Sequence, residues 1–445
     1  MKRVDIVVVG LGSAGAAAAW HCARRGMTVV GLDRRALGDC GARWVNGVAG
    51  WQLEEAEIPR PTSPEVVSGA SSFHLVAGHG PERIVARGHG VLDIDMRRFG
   101  TRLQDMAKSA GAELYGECKV VSIDGGDEER QIVATDRESF SADHDIVATG
   151  LHQGLVDTPA VDRKHLCAAA QGVYQIEDKQ AAEAFFSEHQ VSESETLCFT
   201  GVEGGYSILN LRWHGDDLSI LTGSIPADGY PSGRAILESF VDSHGWVGEQ
   251  RFGGSRAIPL RRPYCRLANT RLALVGDAAC QVFSAHGSGV GLGVIAARLV
   301  ADSLEQTGGL REYEVKFHRR FGGLLMAYDA FRQFSQTLTT DDVGTLIKSG
   351  LLEASSSSAT LAQRWPTPNP AAALKLARSA SSNPRLTARL LTTLGRMATL
   401  SALGRSYPCS DGRALTAWAQ AVSKVFGDEP DPTRLRCSPH SRTSQ

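Results

Sequence analysis

Residues 4–15 read VDIVVVGLGSAG, and this stretch decides the fold. Its first six residues form a nearly continuous apolar run, which is typical of a parallel strand buried on both faces. The spacing G-x-G-x-x-G follows, then an alanine-rich helix from Ala16 to about Arg25 and a second strand from Thr28 to Leu32. Strand, glycine turn, helix and strand in this order predict a βαβ unit that binds a dinucleotide.

The glycines and the helix start each have a task in this unit. The first glycine permits a tight turn, the second lets the backbone approach a pyrophosphate, and the third lets helix and strand pack closely. The helix N-terminus attracts phosphate through its free N–H groups and its dipole. The residues predicted to bind the dinucleotide here are Gly10, Gly12, Ser13, Ala14 and Gly15.

A carboxylate ends the second strand of the unit. Asp33 stands where an acidic side chain accepts hydrogen bonds from an adenosine ribose, and Arg34 comes directly after it. We expect both side chains to belong to the dinucleotide site.

A second glycine-rich stretch lies far downstream. Leu272–Val275 predict another buried strand, which runs into Gly276-Asp277-Ala278-Ala279. The glycine-rich segment 287–291 then precedes a helix from Leu292 to about Leu304. Together the two stretches resemble the FAD-dependent oxidoreductases of the para-hydroxybenzoate hydroxylase and geranylgeranyl reductase superfamily, whose second flavin motif reads GDAA-x4-P-x2-G-x-G.

This resemblance implies FAD as the cofactor and gives roles to the second motif. In the superfamily the aspartate binds the ribityl chain. The glycine-rich helix start faces the flavin pyrimidine, where its dipole stabilises negative charge on the reduced ring. By resemblance these roles fall to Gly276, Asp277, Gly287 and Gly289.

Between the two motifs the chain resembles the geranylgeranyl reductase branch more than the aromatic hydroxylases. Cys40-Gly41 is similar to a Cys-Gly pair that this branch places near the flavin, which adds Gly41 to the implied cofactor site. Gly204-Gly205-Tyr206 resembles the start of the reductases' aromatic segment, although no Trp or Pro follows it. The resemblance covers residues 1–330 of the chain.

Departures from the superfamily pattern bear on the chemistry. Thr149 replaces the Asp of an Asp-Gly pair that the hydroxylases associate with FAD and NADPH, so NAD(P)H as the electron donor stays open. Met96 stands where an arginine is usual. In the second motif Ser284 replaces the proline, and His286 precedes Gly287 where a small polar residue is more usual.

Two side chains are candidate catalytic groups. His286 would lie beside the flavin, and the unperturbed pKa of histidine suits proton donation near neutral pH. The alternative for His286 is a loop histidine that only hydrogen-bonds backbone or a flavin carbonyl. Cys40 either supplies a proton or a charge-transfer contact to the flavin, or is a small packed hydrophobe. The His, Cys and Asp residues of the sequence show no metal-site spacing.

The predicted fold class is α/β, and α+β over the whole chain: a Rossmann-type FAD-binding domain interleaved with a mostly β substrate domain, then a helical C-terminal region. We expect the FAD-binding domain at 1–57, 92–165 and 266–330 and the substrate domain at 58–91 and 166–265. The helical region with a basic tail follows at 331–445. Within it and just before it, helices are predicted over Tyr313–Phe334 and at about 371–380 and 384–404, and loops at Ser355–Ser358 and Pro366–Pro370.

The composition excludes other classes of protein. With 47 Lys and Arg against 49 Asp and Glu, the chain lacks the positive excess of a nucleic-acid binder. Nine scattered cysteines without a Cys-x-x-Cys pair predict a reducing cytosol, and a strand that starts at Val4 leaves no room for a signal peptide. We therefore expect a cytoplasmic protein.

The charge is unevenly distributed along the chain. Residues 361–445 hold twelve Lys and Arg but four Asp and Glu. This basic region predicts either a solvated helical face packed beside the acidic remainder of the chain, or peripheral contact with an anionic membrane.

The sequence thus predicts an FAD-dependent oxidoreductase in which reduced flavin delivers a hydride to an unsaturated, lipophilic small molecule. One alternative is a monooxygenase that hydroxylates an aromatic small molecule or a protein side chain through a C4a-hydroperoxide. Another is a flavoprotein cyclase or isomerase without net redox change. The electron donor is NAD(P)H or a donor protein, and nucleic acid is not an expected partner.

Overall fold

The computed structural model describes residues 1–69, 72–125, 130–151, 154–306, 308–367 and 369–437. Pro368 of the predicted loop and Arg442 of the basic tail lie outside the described residues. In the described part the strands are β1 (Lys2–Val9), β2 (Val29–Leu32), β3 (Val45–Ala49), β4 (Val66–Ser68), β5 (Phe73–Ala77), β6 (Arg83–Ala86), β7 (Val91–Asp95), β8 (Glu113–Tyr115), β9 (Val120–Asp124), β10 (Gln131–Thr135), β11 (Ser139–Val147), β12 (Leu166–Ile176), β13 (Thr196–Thr200), β14 (Ser207–His214), β15 (Asp217–Ser224), β16 (Val247–Pro259) and β17 (Leu272–Leu274).

The α-helices concentrate after β17. In the described part they are α1 (Ser13–Ala23), α2 (Gly50–Glu55), α3 (Met96–Ser109), α4 (Lys179–Glu188), α5 (Gly233–Ser243), α6 (Val290–Glu305), α7 (Gly309–Phe317), α8 (Gly323–Ser335), α9 (Thr340–Lys348), α10 (Ala354–Leu361), α11 (Ala372–Ser382), α12 (Pro384–Arg405) and α13 (Arg413–Phe426). Among these described helices, none combines the length and the apolar character needed to cross a bilayer.

The first sheet contains the predicted βαβ unit. Its strand order is β8-β2-β1-β11-β10-β9, and β17 also pairs with β11. The central strand β1 is parallel to both neighbours, with Val8 opposite Gly31 of β2 and Ile146 of β11. Val8 is fully buried, as a strand covered on both faces requires. Helix α1 connects β1 to β2, so the glycine loop lies at the carboxyl end of β1.

The second sheet has the order β16-β12-β15-β14-β13-β5-β6. Its neighbours are antiparallel except for the parallel pair β13 and β5. Two of its strands precede β8–β11 of the first sheet in the chain, and five follow them. The interleaving confirms the predicted fold class.

A small third sheet, β3-β7-β4, is antiparallel, and side chains of the second sheet contact it: Arg212 on β14 pairs with Asp93 on β7, and Gln171 binds β3. The side-chain oxygen of Gln171 on β12 accepts a hydrogen bond from the N–H of Val45 at 2.6 Å, and its amide donates to the Val45 carbonyl at 2.9 Å. This buried clamp fixes the chain directly after Gly41.

The C-terminal helices pack on the second sheet and on one another: α9 and α10 contact β5 and β6, and α12 contacts α8. The predicted helix Tyr313–Phe334 is present as α7 and α8, with a π-helical turn at His318–Gly322 between them. Helix α12 contacts α8 closely, because a Cβ atom on Gly404 would overlap the backbone of Gly323. The two predicted basic helices are α11 and α12.

The prediction of a loop at Ser355–Ser358 is wrong. These serines lie in α10, which begins with a reciprocal capping box between Glu353 and Ser356. The Ser358 hydroxyl donates to the carbonyl of Arg87 at 3.0 Å. A serine run favours loops through local hydrogen bonds to backbone, but here the cap and the tertiary contact stabilise the helix.

Buried ion pairs hold the last described segment against the loop that follows β16. Arg261 Nη2 lies 2.6 Å from Asp431 Oδ2, and Arg262 Nη1 lies 2.7 Å from Asp428 Oδ2. Both guanidinium groups are buried. The pairs run opposite to the overall charge pattern, because carboxylates of the basic region bind arginines of the acidic remainder.

Candidate functional site

The glycine loop after β1 has no room for side chains. Gly10 adopts a φ of +96°, and a Cβ atom on it would lie 2.8 Å from the carbonyl carbon of Ala148. A Cβ atom on Gly15 would overlap the carbonyl oxygen of Gly10. Both positions therefore require glycine on steric grounds, as the sequence predicted from the motif.

Asp33 supports this loop from the end of β2. Its Oδ2 accepts a hydrogen bond from the N–H of Leu11 at 2.8 Å, and its Oδ1 accepts one from the N–H of Arg35 at 2.9 Å. The carboxylate is half-buried, whereas Arg34 is exposed. Asp33 therefore lies beside the glycine loop, where its carboxylate would accept hydrogen bonds from an adenosine ribose.

The predicted cofactor residues of the two motifs meet at the start of α1. A Cβ atom on Gly276 would lie 3.1 Å from Cβ of Ala14, and one on Gly41 would lie 3.0 Å from Cα of Gly12. Gly12 is the N-cap of α1 and provides no side-chain cap, so the first N–H groups of Ser13 and its neighbours face the site without a side-chain partner.

The second motif places a carboxylate against another uncapped helix. Asp277 follows β17 in a short 3₁₀ turn, and a Cβ atom on Gly289 would lie 3.2 Å from Asp277 Oδ1. Gly289 is the N-cap of α6 and also lacks a side-chain cap. Burial raises the pKa of Asp277, and the positive charge of Arg256 opposes that shift. The Asp277 carboxylate thus lies directly beside the N-terminus of α6.

His286 lies in the loop between Asp277 and α6. Its ring centroid is 5.0 Å from that of Phe283, and its Nε2 has no hydrogen-bond partner among the described residues. Burial lowers the pKa of His286 to about 4, although hydrogen bonds with its own backbone and that of Thr360 work against the shift. The ring is therefore neutral at neutral pH.

Cys40 lies at the other end of the site. Its Sγ donates to the carbonyl of Ala36 at 3.4 Å. Burial raises the pKa of the Cys40 thiol to about 12, and the neighbouring Asp33 carboxylate adds to the shift. The thiol thus stays protonated beside the carboxylate of Asp33. Among the described residues, no hydrogen bond or ring contact joins Cys40 to His286.

Thr149 shares a small cleft with the second motif. The lining of this cleft includes Thr149, Gly150, Tyr264 and Asp277. The residue that replaces the hydroxylases' aspartate therefore lies next to the carboxylate implied to bind the ribityl chain, and a hydroxyl group stands there in place of a second negative charge.

A largely buried apolar cluster borders the loop of the second motif. A Cβ atom on Gly287 would lie 3.6 Å from Cδ2 of Leu260 and 3.7 Å from Cδ1 of Ile258. Both belong to one packed cluster, which we call the apolar wall. The apolar wall consists of Cys167, Ala169, Tyr206, Ile225, Ile258, Leu260 and Val282.

The C-terminal region also reaches the site, which the motif analysis missed. The side-chain amide of Gln363, just after α10, donates to the carbonyl of Ser288 at 3.4 Å and its oxygen accepts from Gln52 at 2.9 Å. The Tyr328 hydroxyl lies 3.2 Å from that of Thr360. No motif marks these residues, because their contacts join positions 32 or more apart.

A basic side chain from the second sheet was missed for the same reason. Arg256 on β16 donates a hydrogen bond from its guanidinium to the carbonyl of Gly41. It therefore crosses from the second sheet to the contact between Gly41 and Gly12.

These features fit FAD. The glycines leave space that side chains would fill, two uncapped helix starts offer N–H groups to anionic and polar oxygens, and one carboxylate stands at each end. The residues that would hold the cofactor are Gly10, Gly12, Ser13, Ala14, Gly15, Asp33, Gly41, Gly276, Asp277, Gly287 and Gly289. Arg34 is exposed beside them.

Comparison with known proteins gives relatives over most of the chain, although no protein-family model matches it. Digeranylgeranylglycerophospholipid reductase 2 of Methanopyrus kandleri is 26% identical over 381 residues, which cover 77% of this chain and 92% of that protein. Menaquinone reductase of Mycolicibacterium smegmatis is 27% identical over 332 residues, which cover 70% of this chain and 78% of that protein.

A solved structure shares the fold. A geranylgeranyl bacteriochlorophyll reductase-like protein of Thermoplasma acidophilum matches with a TM-score of 0.69 at 17% identity, covering 88% of this chain and 100% of that one. This match confirms the predicted fold class. Together with the curated relatives it confirms the resemblance drawn from the two glycine motifs.

Proposed function

We propose that this chain, which belongs to the FAD-dependent oxidoreductase superfamily of para-hydroxybenzoate hydroxylase and geranylgeranyl reductase, reduces carbon–carbon double bonds in a lipophilic small molecule. The observation that carries the proposal is the apolar wall at the Gly287 loop, whose half-buried member Ile258 lies 3.7 Å from the position of a Cβ atom on Gly287. An apolar chain that packs on Ile258 would be stabilised because its burial removes hydrocarbon from water.

The relatives support the same substrate class. Their names specify a digeranylgeranylglycerophospholipid and a menaquinone as the molecules that are reduced. We propose a lipid with an unsaturated hydrocarbon chain for this protein as well. Ile258, the half-buried member of the apolar wall, would contact that chain.

FAD, when bound in its reduced form, supplies the hydride for the reduction. The residues of the chain orient it. Asp33 would accept hydrogen bonds from the ribose, the N–H groups at the start of α1 would hold the diphosphate, and Asp277 would bind the ribityl chain. By resemblance, the positive helix end at Gly289, the start of α6, would face the flavin pyrimidine and stabilise negative charge on the reduced ring.

We assign His286 a positioning role at neutral pH. With a pKa of about 4 its imidazolium form is scarce at pH 7, so the neutral ring hydrogen-bonds backbone and packs on Phe283. The Cys40 thiol, with a pKa of about 12, is also a weak acid and lies beside Asp33. The catalytic roles of both residues stay predictions.

The residue type at position 149 bears on which electron donor reduces the flavin. Because a hydroxyl group replaces the carboxylate that the hydroxylases associate with NADPH, we propose slow direct reduction by NADPH and faster reduction by a donor protein. NAD(P)H is therefore the test reductant against which other donors are compared.

We also propose that the outward side of α11 and α12 contacts an anionic membrane. Residues 371–405 contain six Lys and Arg and no Asp or Glu. Leu374, Leu391 and Leu394 are 54%, 49% and 40% exposed there. Exposed leucines among basic side chains are the combination that binds lipid head groups and acyl chains at a membrane surface. A lipophilic substrate would be reached from that surface.

Anaerobic turnover tests the proposed reaction. The purified flavoprotein is reduced without oxygen by NADPH, NADH or dithionite and then mixed with a polyprenyl lipid. We expect flavin reoxidation and a product that gains two hydrogen atoms per double bond. A product that forms only with oxygen and gains an oxygen atom would support the monooxygenase instead. A product of unchanged mass would support the cyclase or isomerase.

A further inference from the structure

Arg256 is a half-buried cation without a carboxylate partner. Within the described residues, the Arg256 guanidinium donates one hydrogen bond, to the carbonyl of Gly41. No Asp or Glu oxygen of these residues lies within 4.0 Å of the guanidinium nitrogens. By contrast, Arg251 on the same strand is exposed and lies 2.8 Å from Asp217. A buried cation without a paired anion is costly, so its position calls for a negative ligand.

The surroundings of Arg256 locate that ligand. Its guanidinium feels the charges of Asp277 and Asp33, the carboxylates at the two ends of the cofactor site. It also binds Gly41, which packs on Gly12 at the uncapped start of α1. A dinucleotide that runs from Asp33 to Asp277 has its diphosphate between them, next to Gly12.

Two further arginines act on Arg256 electrostatically. Burial lowers the pKa of its guanidinium, and repulsion by Arg35 and Arg34 adds to that shift, whereas Asp277 and Asp33 oppose it. A diphosphate with its two negative charges removes this repulsion, and the flat guanidinium fork matches two phosphate oxygens.

We propose that Arg256 is a further cofactor-binding residue, which holds the diphosphate of FAD from the second sheet. This inference rests on the proposed binding of FAD. Because Arg256 is two residues from Ile258 on β16, binding of the diphosphate also fixes the strand that carries part of the apolar wall. The cofactor thereby joins the two sheets.

Flavin titrations of the apoprotein test this assignment. Arg256→Gln keeps a donor for the Gly41 carbonyl but loses the charge, and Arg251→Gln is the matched control on the same strand. We expect the Kd for FAD to rise about 10- to 100-fold in Arg256→Gln and less than twofold in Arg251→Gln. Riboflavin, which has no phosphate, should bind Arg256→Gln and wild type equally. The FAD affinity of the wild type should also fall more steeply with salt than that of Arg256→Gln.

The outcomes separate this assignment from the proposed function. A wild-type protein that binds no FAD would overturn both. A wild type that binds FAD, with an Arg256→Gln variant of equal affinity, would overturn the assignment alone. Equal losses for FAD and riboflavin would also overturn it, since they would show a general distortion of the site. Thermal melting of the two apoproteins checks that the variant is folded: Arg256→Gln, which removes the unpaired cation, should melt no lower than wild type.

Discussion

The carboxylate of Asp33 accepts a hydrogen bond from the N–H of Leu11 at 2.8 Å, so the end of β2 holds the glycine loop in the shape that receives a dinucleotide. One side chain thus has two tasks, support of the loop and recognition of the ribose. A substitution that keeps the first task and weakens the second separates them.

We expect Asp33→Asn to raise the Kd for FAD about tenfold or more. The amide oxygen still accepts from Leu11, but the charge-assisted hydrogen bonds to the ribose are lost. Flavin fluorescence during titration of the apoprotein measures the Kd. Asp39→Asn is the control, because the Asp39 side chain is 59% exposed and pairs with Arg43 on the surface. Equal FAD affinity in Asp33→Asn and wild type would argue against ribose recognition by Asp33.

Gly15→Ala should destabilise the fold by about 3 kcal/mol, because the new Cβ atom would overlap the carbonyl of Gly10. Gly395→Ala is the matched substitution in a helix with open space around it. It should stabilise the protein by about 0.5–1 kcal/mol. Chemical denaturation of the two apoproteins measures both values, and a Gly15→Ala variant as stable as wild type would contradict the packing.

His286 should contribute to the pH dependence of stability. Its pKa is about 4 in the folded protein and about 6.5 in the unfolded chain. The unfolded chain therefore binds more protons between these values, so the stabilisation is complete above pH 6.5 and is lost as the pH falls towards 4. In His286→Gln, the free energy of unfolding should decline less over this interval, by up to about 3 kcal/mol.

The same variant tests the positioning role in turnover. Because the His286 ring is neutral, we expect His286→Gln to retain normal FAD content and to lose less than about tenfold in turnover, with a pH profile parallel to wild type from pH 5.5 to 8. Suppose instead that wild-type turnover rises tenfold per pH unit on acidification and the variant lacks this rise. The imidazolium would then be the proton donor.

Asp431→Asn should cost about 3 kcal/mol of stability, since it leaves the buried Arg261 without its charge partner. Asp216→Asn breaks an exposed ion pair with Lys179 and should cost far less stability, because solvent screens that pair. Urea unfolding compares the two variants. Equal effects would show that the tail contact contributes no more than a surface ion pair.

Replacing both Leu391 and Leu394 with Asp should weaken binding to anionic vesicles at least about tenfold, because two apolar anchors become repelled charges. Val121→Asp, at a residue 48% exposed on β9, is the control. Sedimentation with vesicles of phosphatidylglycerol, and of phosphatidylcholine alone, measures the binding. Wild-type protein that stays in the supernatant with both lipids would exclude this surface as a membrane contact.

The sequence predicted those parts of the site that depend on neighbours along the chain. Gly10, Gly15 and Asp33 belong to one βαβ unit, where residue type and spacing determine backbone shape. The helices α11 and α12 were predicted from apolar periodicity. The start of α6 followed from glycines next to an apolar run. In each case the physical cause lies within a few residues of its effect.

Arg256 and Gln363 could not be predicted in this way. Both reach the site across sequence separations that leave no local pattern, and an arginine on an edge strand looks like a surface residue. The charge arithmetic was right for one part of the basic region and misleading for another. The charge distribution predicts that cations of the basic region pair with carboxylates of the acidic remainder. Lys375 and Arg389 pair with Glu353 and Asp342 of the acidic remainder. Asp428 and Asp431 of the basic region instead bind Arg262 and Arg261 of the remainder. Burial of these two arginines decides the pairing there, rather than the net charge of each region.

The ion pair between Arg261 and Asp431 can form only late in synthesis. Asp431 follows Arg261 by 170 residues, which takes a ribosome roughly 10 to 30 s at 5–20 residues per second. Throughout that time the arginines just ahead of the second flavin motif have been made and their carboxylates have not. We therefore expect stable flavin loading only after Asp431 has been synthesised, well after the N-terminal βαβ unit.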